Sequence, residues 1–330
     1  MYAGSIPTSA SIIMKKKILV SGSSGFIGFH ISKFLLEKEF SVVGVDSMND
    51  YYDLNLKKQR LETLKKNKKF KFCHSDLIQF DRLNKIFINE EPDVVIHLAA
   101  QAGVRYSKIN PKSYIDSNLI VFSNMIENVR KFKTKLIYAS SSSVYGGKKK
   151  YPFKESDTIN PKSFYGLTKK INEDIADFYS KEFNLNIIGL RFFTVYGPFG
   201  RPDMAYYKFC QRIKENVPIV LYNQGLMSRD MTYIDDICQG IYKAIINDFI
   251  CHQIFNLGNN NPIELAKLIS HIENYLDKKA IIKYEDSPDE VKKTYADITK
   301  SNELLGYSPK VSFEDGMNNF LNWYKRNFKL

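Results

Sequence analysis

Three glycines at three-residue steps, Gly22, Gly25 and Gly28, lie between a short apolar run and an amphipathic one. This constrains the fold more than any other feature of the chain. The run Lys17–Ser21 reads as a strand and Phe26–Lys38 as a helix, so the glycines span a strand-to-helix turn. Glycines there allow a tight turn and close packing of helix on strand. They also bring the backbone N–H groups of the helix start close to a bound anion. The alternation then continues. Strands are expected at Ser41–Asp46, Lys69–His74, Val94–Leu98, Lys135–Ser140 and Asn186–Arg191. Helices are expected at Leu54–Lys66, Leu83–Asn89, about Pro111 to Lys131 and about Pro161 to Phe183. Both prolines suit a helix's first turn, where the missing N–H is harmless.

Short, nearly continuous apolar strands alternating with helices predict a parallel sheet covered on both faces. The expected fold is therefore α/β: a doubly wound parallel sheet of the Rossmann dinucleotide-binding kind, with a smaller mixed α/β C-terminal region. Residues 14–191 would form the first part and 192–330 mainly the substrate-binding part. Residues 1–13 carry no periodic pattern and read as an N-terminal extension. After Arg191 the rhythm breaks at Gly197-Pro-Phe-Gly-Arg-Pro202, a loop.

Composition narrows the partners. No apolar run approaches the roughly eighteen residues of a membrane helix. The net charge of +12 comes from lysines spread along the chain, with no nucleic-acid-binding pattern around them. It reads as a solvated surface, and no nucleic acid partner is expected. Cys73, Cys210, Cys238 and Cys251 form no CxxC pair, and no histidine stands at ligand spacing from them. No metal site is expected, and a reducing, cytoplasmic setting fits.

The chemistry-bearing residues follow the strands. Asp46 ends the second strand, where a carboxylate hydrogen-bonds adenosine ribose hydroxyls and repels a 2′-phosphate, so NAD is favoured over NADP. Tyr165 and Lys169 stand four residues apart, on one face of a helix. The lysine and a positive nicotinamide ring are expected to lower the tyrosine pKa and fit it as a general base. Ser140 to Ser143 follow the fifth strand, where hydroxyls reach a ligand crevice.

Taken together, the glycine triplet, His97-Leu-Ala-Ala100, Ser-Ser-Val-Tyr145-Gly146 and Tyr165-x-x-x-Lys169 resemble the extended short-chain dehydrogenases acting on nucleotide sugars. Longer segments are similar to one branch, the UDP-glucuronate 4-epimerases. They include Asn49-Asp-Tyr-Tyr-Asp53, Gln101-Ala-Gly-Val-Arg-Tyr-Ser107, Arg191 to Pro198, Gly200 to Ala205 and Ser228 to Asp236. The resemblance runs from about Lys16 to the C-terminus.

It implies tightly held NAD, regenerated in each cycle, and C4 epimerisation of a UDP-uronic acid through a transient 4-keto sugar. Gly22, Gly25, Phe26, Ile27, Gly28 and Asp46 would hold the cofactor, with Asp76 and Leu77 at the adenine. Ala99, Ala100, Gln101 and Asn118 would lie on the nicotinamide side, and Lys169 at its ribose. Tyr165 would be the base, assisted by Ser141. Arg229 would meet the diphosphate, Ser142, Ser143 and Thr194 the sugar carboxylate, and Arg201 the nucleotide or uronate side. Arg105 and Asp289 complete the implied substrate set. A homodimer is implied as well.

Two departures matter. Family members often carry Pro-Gly-Asp where this chain reads Ser287-Pro-Asp-Glu290, and Lys148 to Tyr151 is unusually basic. Related decarboxylases resemble Ser-Glu, and dehydratases Asp-Glu, where this chain has Ser142-Ser143. With no carboxylate to promote loss of CO2 or water there, epimerisation is favoured. Epimerases of neutral UDP-hexoses or their N-acetyl forms resemble asparagine at the position of Thr194, and they are the alternative. A non-catalytic NAD- or RNA-binding relative is a third reading, disfavoured by the intact Tyr165 and Lys169.

Overall fold

The computed structural model describes residues 16–147, 150–286 and 291–328, and every count below refers to these. The expected extension at residues 1–13 and Asp289 lie outside them. Twelve strands form: β1 (Lys17–Ser21), β2 (Ser41–Asp46), β3 (Phe70–His74), β4 (Val94–His97), β5 (Lys135–Ser141), β6 (Ile187–Phe192), β7 (Thr194–Tyr196), β8 (Ile219–Tyr222), β9 (Ser228–Tyr233), β10 (Gln253–Leu257), β11 (Pro262–Glu264) and β12 (Ile282–Glu285). Seven join one sheet in the order β10-β6-β5-β4-β1-β2-β3, and every pair is parallel.

The strands are apolar on both faces because both faces are covered. In β1, Ile18 and Val20 join one apolar cluster and Leu19 the other. Val94 and Ile96 of β4 divide from Val95 in the same way. The chain leaves β1 toward β2 and β3 on one side and later returns to β4, β5 and β6 on the other. Beyond the C-terminal ends of β1 and β4 this reversal opens a crevice, the place where ligands bind in such sheets.

Two expected helices are corrected. The segment from Pro111 is not one helix. It runs as Pro111–Tyr114, a wide π-type turn at Ile115–Ile120, then Val121–Phe132. Such turns insert a residue into the helical register. Here Asn118 is held at the turn by tertiary hydrogen bonds to Gln101 and Thr168. The later helix begins at Phe164, not Pro161. Ser163 takes the cap, its hydroxyl oxygen accepting the N–H of Gly166 at 3.0 Å, which satisfies an orphan donor of the first turn.

The later residues pack onto the sheet. β10 pairs with β6 and completes it, although it lies past residue 191. The helix Ile234–Ile246 lies against Phe26–Glu37. One apolar cluster runs from Ile18 through Tyr196 and Tyr206 to Phe320. The strands β7, β9 and β11 form a small sheet, and β8 pairs with β12.

Candidate active site

The crevice encloses about 1430 Å³, including solvent at its mouth. Its floor is the glycine turn. A Cβ on Gly28 would come within 2.0 Å of the Gly22 carbonyl oxygen, and one on Gly22 within 2.8 Å of the Ala99 nitrogen. Gly22 also has φ of +72°, which L side chains rarely adopt. Only glycine brings strand, helix and crevice this close, and the geometry fits a dinucleotide's pyrophosphate on the start of helix Phe26–Glu37.

Strand ends place the remaining wall. Asp46 ends β2, and its carboxylate accepts the N–H of Ser24 at 3.0 Å and of Met48 at 2.8 Å. It is thereby locked to the glycine turn. Asp76 and Leu77 follow β3, and Ala99, Ala100 and Gln101 follow β4; all line the crevice. Ser21 fixes this last stretch. Its hydroxyl oxygen accepts the N–H groups of Leu98 and Ala99 and lies 2.8 Å from Nδ1 of the buried His97.

Asn118 does not face the crevice. It braces Gln101 from behind, accepting its N–H at 2.8 Å and donating to its carbonyl at 3.1 Å and to Thr168 Oγ1 at 3.0 Å. Its neighbours Ser117 and Val121 reach the crevice instead.

At the deep end Tyr165, Lys169, Ser141 and Arg201 come together. The ring of Tyr165 packs edge-on against Tyr114, 6.1 Å between centroids, and the Tyr114 hydroxyl is anchored on the Ala102 carbonyl at 2.9 Å. Ser141 Oγ accepts the N–H of Ser143 at 3.1 Å. Its own proton is then free to point at Tyr165, and that hydrogen bond favours the phenolate.

Among the chain's own groups, the expectation that Lys169 lowers the phenol pKa is not met. Burial raises it, and the Ser141 hydrogen bond and the charge of Arg201 pull it partly back. The cation acting on the phenol is Arg201, not Lys169. Lys169 Nζ donates to the Ala139 carbonyl at 2.8 Å, and burial draws its pKa down to about 8 against the upward pull of Glu173.

Arg201 is oriented by a carboxylate that the sequence reading missed. Its Nε donates to Asp203 Oδ1 at 3.0 Å and its Nη2 to Oδ2 at 2.5 Å, while the Tyr51 hydroxyl reaches Oδ2 at 3.4 Å. The loop carrying Arg201 is clamped from the opposite half. Arg60, wholly buried, donates to the carbonyls of Phe199 at 2.6 Å and Ser24 at 2.9 Å. His30 Nε2 lies 2.9 Å from the Pro198 carbonyl oxygen. Burial keeps this imidazole neutral, its pKa pushed down to about 3. No local motif announces these clamps, since Arg60 and Phe199 are 139 residues apart and His30 and Pro198 are 168.

The other expected substrate residues lie around this core. Ser142 and Ser143 start the short turn after β5, and Thr194 begins β7, two residues after crevice-lining Phe192. Arg105 lies over the Tyr222 ring at 4.5 Å. Arg229, on β9, donates to the Ser228 carbonyl at 3.0 Å. The structure does not bring these two to the crevice wall.

A family model described as GDP-mannose 4,6 dehydratase matches residues 19–320. The chain belongs to this family. It is 42% identical over 316 residues to a UDP-glucuronate 4-epimerase of Thermodesulfobacterium geofontis, covering 94% of this chain and 97% of that one. It is 48% identical over 317 residues to an uncharacterised protein of Methanocaldococcus jannaschii, covering 94% and 97%. Its fold is similar to the crystal structure of the Bacillus cereus UDP-glucuronic acid 4-epimerase in complex with UDP-glucuronic acid and NAD. That match has a TM-score of 0.90 at 36% identity, covering 94% of this chain and all of the other.

Proposed function

We propose that the protein inverts C4 of UDP-glucuronate to give UDP-galacturonate, with NAD held through the cycle. The observation that carries this is the convergence of Ser141, Tyr165 and Arg201 in a crevice floored by the glycine turn. NAD, when bound, accepts hydride from C4 and gives it back. Gly22, Gly25, Phe26, Ile27 and Gly28 would hold its pyrophosphate, Asp46 its adenosine ribose, and Asp76 and Leu77 its adenine. Ala99, Ala100, Gln101 and Lys169 would hold the nicotinamide end.

The chain's own groups do the rest. Tyr165 takes the proton of the C4 hydroxyl and later returns it, and Ser141 steadies the phenolate. Arg201 offers a fixed guanidinium to an anionic sugar or diphosphate. Ser142, Ser143 and Thr194 hold the carboxylate out of line with the C4 carbonyl, where a β-keto acid would otherwise lose CO2. Arg229 would meet the diphosphate and Arg105 would lie near the substrate only if the bound nucleotide sugar extends beyond the crevice wall, and residues from 192 onward are mainly the nucleotide-sugar region.

The test uses purified protein and UDP-glucuronate with no added cofactor. UDP-galacturonate without CO2 is expected. CO2 release, or turnover of UDP-glucose alone, would remove the assignment. Tyr165→Phe is expected to lose about 10³-fold in turnover while keeping its NAD.

We further propose a homodimer formed through the Val121–Phe132 and Phe164–Phe183 helices and the turn preceding the first. Ile115, Ile120, Leu167 and Phe178 on these segments are 40–60% exposed. Light scattering after size exclusion tests it. A cytoplasmic setting suits the four free cysteines. Among the described residues no helix is long and apolar enough to cross a membrane.

A further inference from the structure

Behind the end of β5 and the helix that carries Tyr165 lies a buried charge network outside the chemistry above. Glu173 follows Lys169 by four residues on the Phe164–Phe183 helix, as Lys169 follows Tyr165, so the three share one face. Its carboxylate accepts Arg191 Nε at 2.8 Å and Nη2 at 2.7 Å, a two-pronged pair, and the Ser140 hydroxyl donates to it at 2.5 Å. Arg191 Nη1 donates to the Tyr145 hydroxyl at 2.8 Å, which donates to Asn256 Oδ1 at 2.7 Å. All five residues are buried.

A buried ion pair is a weak source of stability, because desolvating both charges offsets most of their attraction. Its position suggests another use. Ser140 lies between Ala139, whose carbonyl receives Lys169, and Ser141, which steadies Tyr165. Anchoring Ser140 on Glu173 therefore fixes both contacts against the helix that carries the tyrosine and lysine.

We propose that Glu173 is a positioning residue for the reaction, holding the end of β5 against the catalytic helix and keeping Lys169 protonated. This rests on the reading of Tyr165, Lys169 and Ser141 given above. The groups around the ammonium leave this task to Glu173. His97, from β4, is neutral, its pKa drawn down to about 3 by burial and by Lys169. Tyr165 on the same helix and Tyr138 on β5 are phenols that burial keeps protonated. Arg191, from β6, is paired with Glu173. Burial lowers the Lys169 pKa to about 8, and Glu173 opposes that fall.

The experiment is a pH profile of turnover from about pH 6 to 9.5. In the native protein turnover is expected to fall above about pH 8 as Lys169 loses its proton. The paired variant Glu173→Gln with Arg191→Met removes both charges and leaves no buried arginine unpaired. Its alkaline fall is expected about one pH unit lower. Glu173→Gln alone is expected to shift the same way, with circular dichroism reporting whether it folds. Ser140→Ala keeps the carboxylate, so it should lower turnover without moving the fall. An unmoved alkaline limb in the paired variant overturns the proposal, whatever its rate. Native turnover in Tyr165→Phe would instead overturn the underlying reading of the crevice, a result separable from an unmoved limb.

Discussion

The two walls of the crevice are built by different means. On the cofactor side, the ends of β1 to β5 deliver Gly22, Asp46, Asp76, Ala99 and Ser141 in chain order. Parallel-sheet hydrogen bonds set their positions, and short turns leave little freedom. On the substrate side, Arg201 sits in a loop before the Ala205–Lys214 helix. Asp203, two residues on, orients its guanidinium, while Arg60 and His30 clamp that loop from distant elements. Backbone pairing makes one wall, and side-chain clamps from distant elements make the other.

The largest expected effect breaks the first wall. Gly28→Val would drive a side chain into the Gly22 carbonyl, 2.0 Å from even a bare Cβ. We expect no NAD to be released on denaturing the purified variant, and no turnover. Arg201→Ala tests the second wall by itself. Losing one charge-assisted contact, it should cost about 10- to 100-fold in kcat/KM for UDP-glucuronate with NAD content unchanged. Loss of NAD in that variant would show that the walls are not independent.

Acid should act on both walls through buried imidazoles. His30 and His97 have pKa values near 3, far below the ordinary 6.5. The unfolded chain binds these protons first, so stability falls as pH drops below 6.5 toward 3, by about 1.4 kcal/mol per pH unit for each imidazole. The melting temperature followed by circular dichroism should drop between pH 6.5 and 4.5, and less steeply in His30→Asn. A flat profile would remove both residues from this account. The smallest effect is expected at Lys65, Lys66 and Lys68, all exposed. Changing all three to Gln should alter turnover less than about twofold. A larger loss would give the basic surface a role.

Six of the sheet's seven strands were legible in the sequence because both-faced burial writes itself as short apolar runs; the edge strand β10, past the break at residue 191, was not. Strand ends were placed to within about a residue, and the glycine turn, Asp46, Ser141, Tyr165 and Lys169 all line the crevice. The misses share one cause. Asn118 was read as touching cofactor, but its bonds to Gln101 and Thr168 make it a brace and help hold the π-type turn. Lys169's share in lowering the phenol was expected from spacing, which puts Lys169 beside Tyr165 but does not tell where Nζ points. Asp203 and Tyr51 lay inside recognised segments, yet nothing local marked their contact.

What the sequence determined by itself was periodicity, and with it the strand order's raw material, the dinucleotide turn and the residue types available for proton transfer. These depend on neighbours two to four residues apart, which the chain carries in plain order. Only the tertiary structure decided charge and direction: which cation acts on Tyr165, how Lys169 is drawn down, and what pins Arg201. Those depend on burial and on which elements the fold brings together, Arg201 onto Tyr165 and Arg60 and His30 onto the Arg201 loop, and an electrostatic interaction takes its strength from the space between groups, not from the chain that joins them.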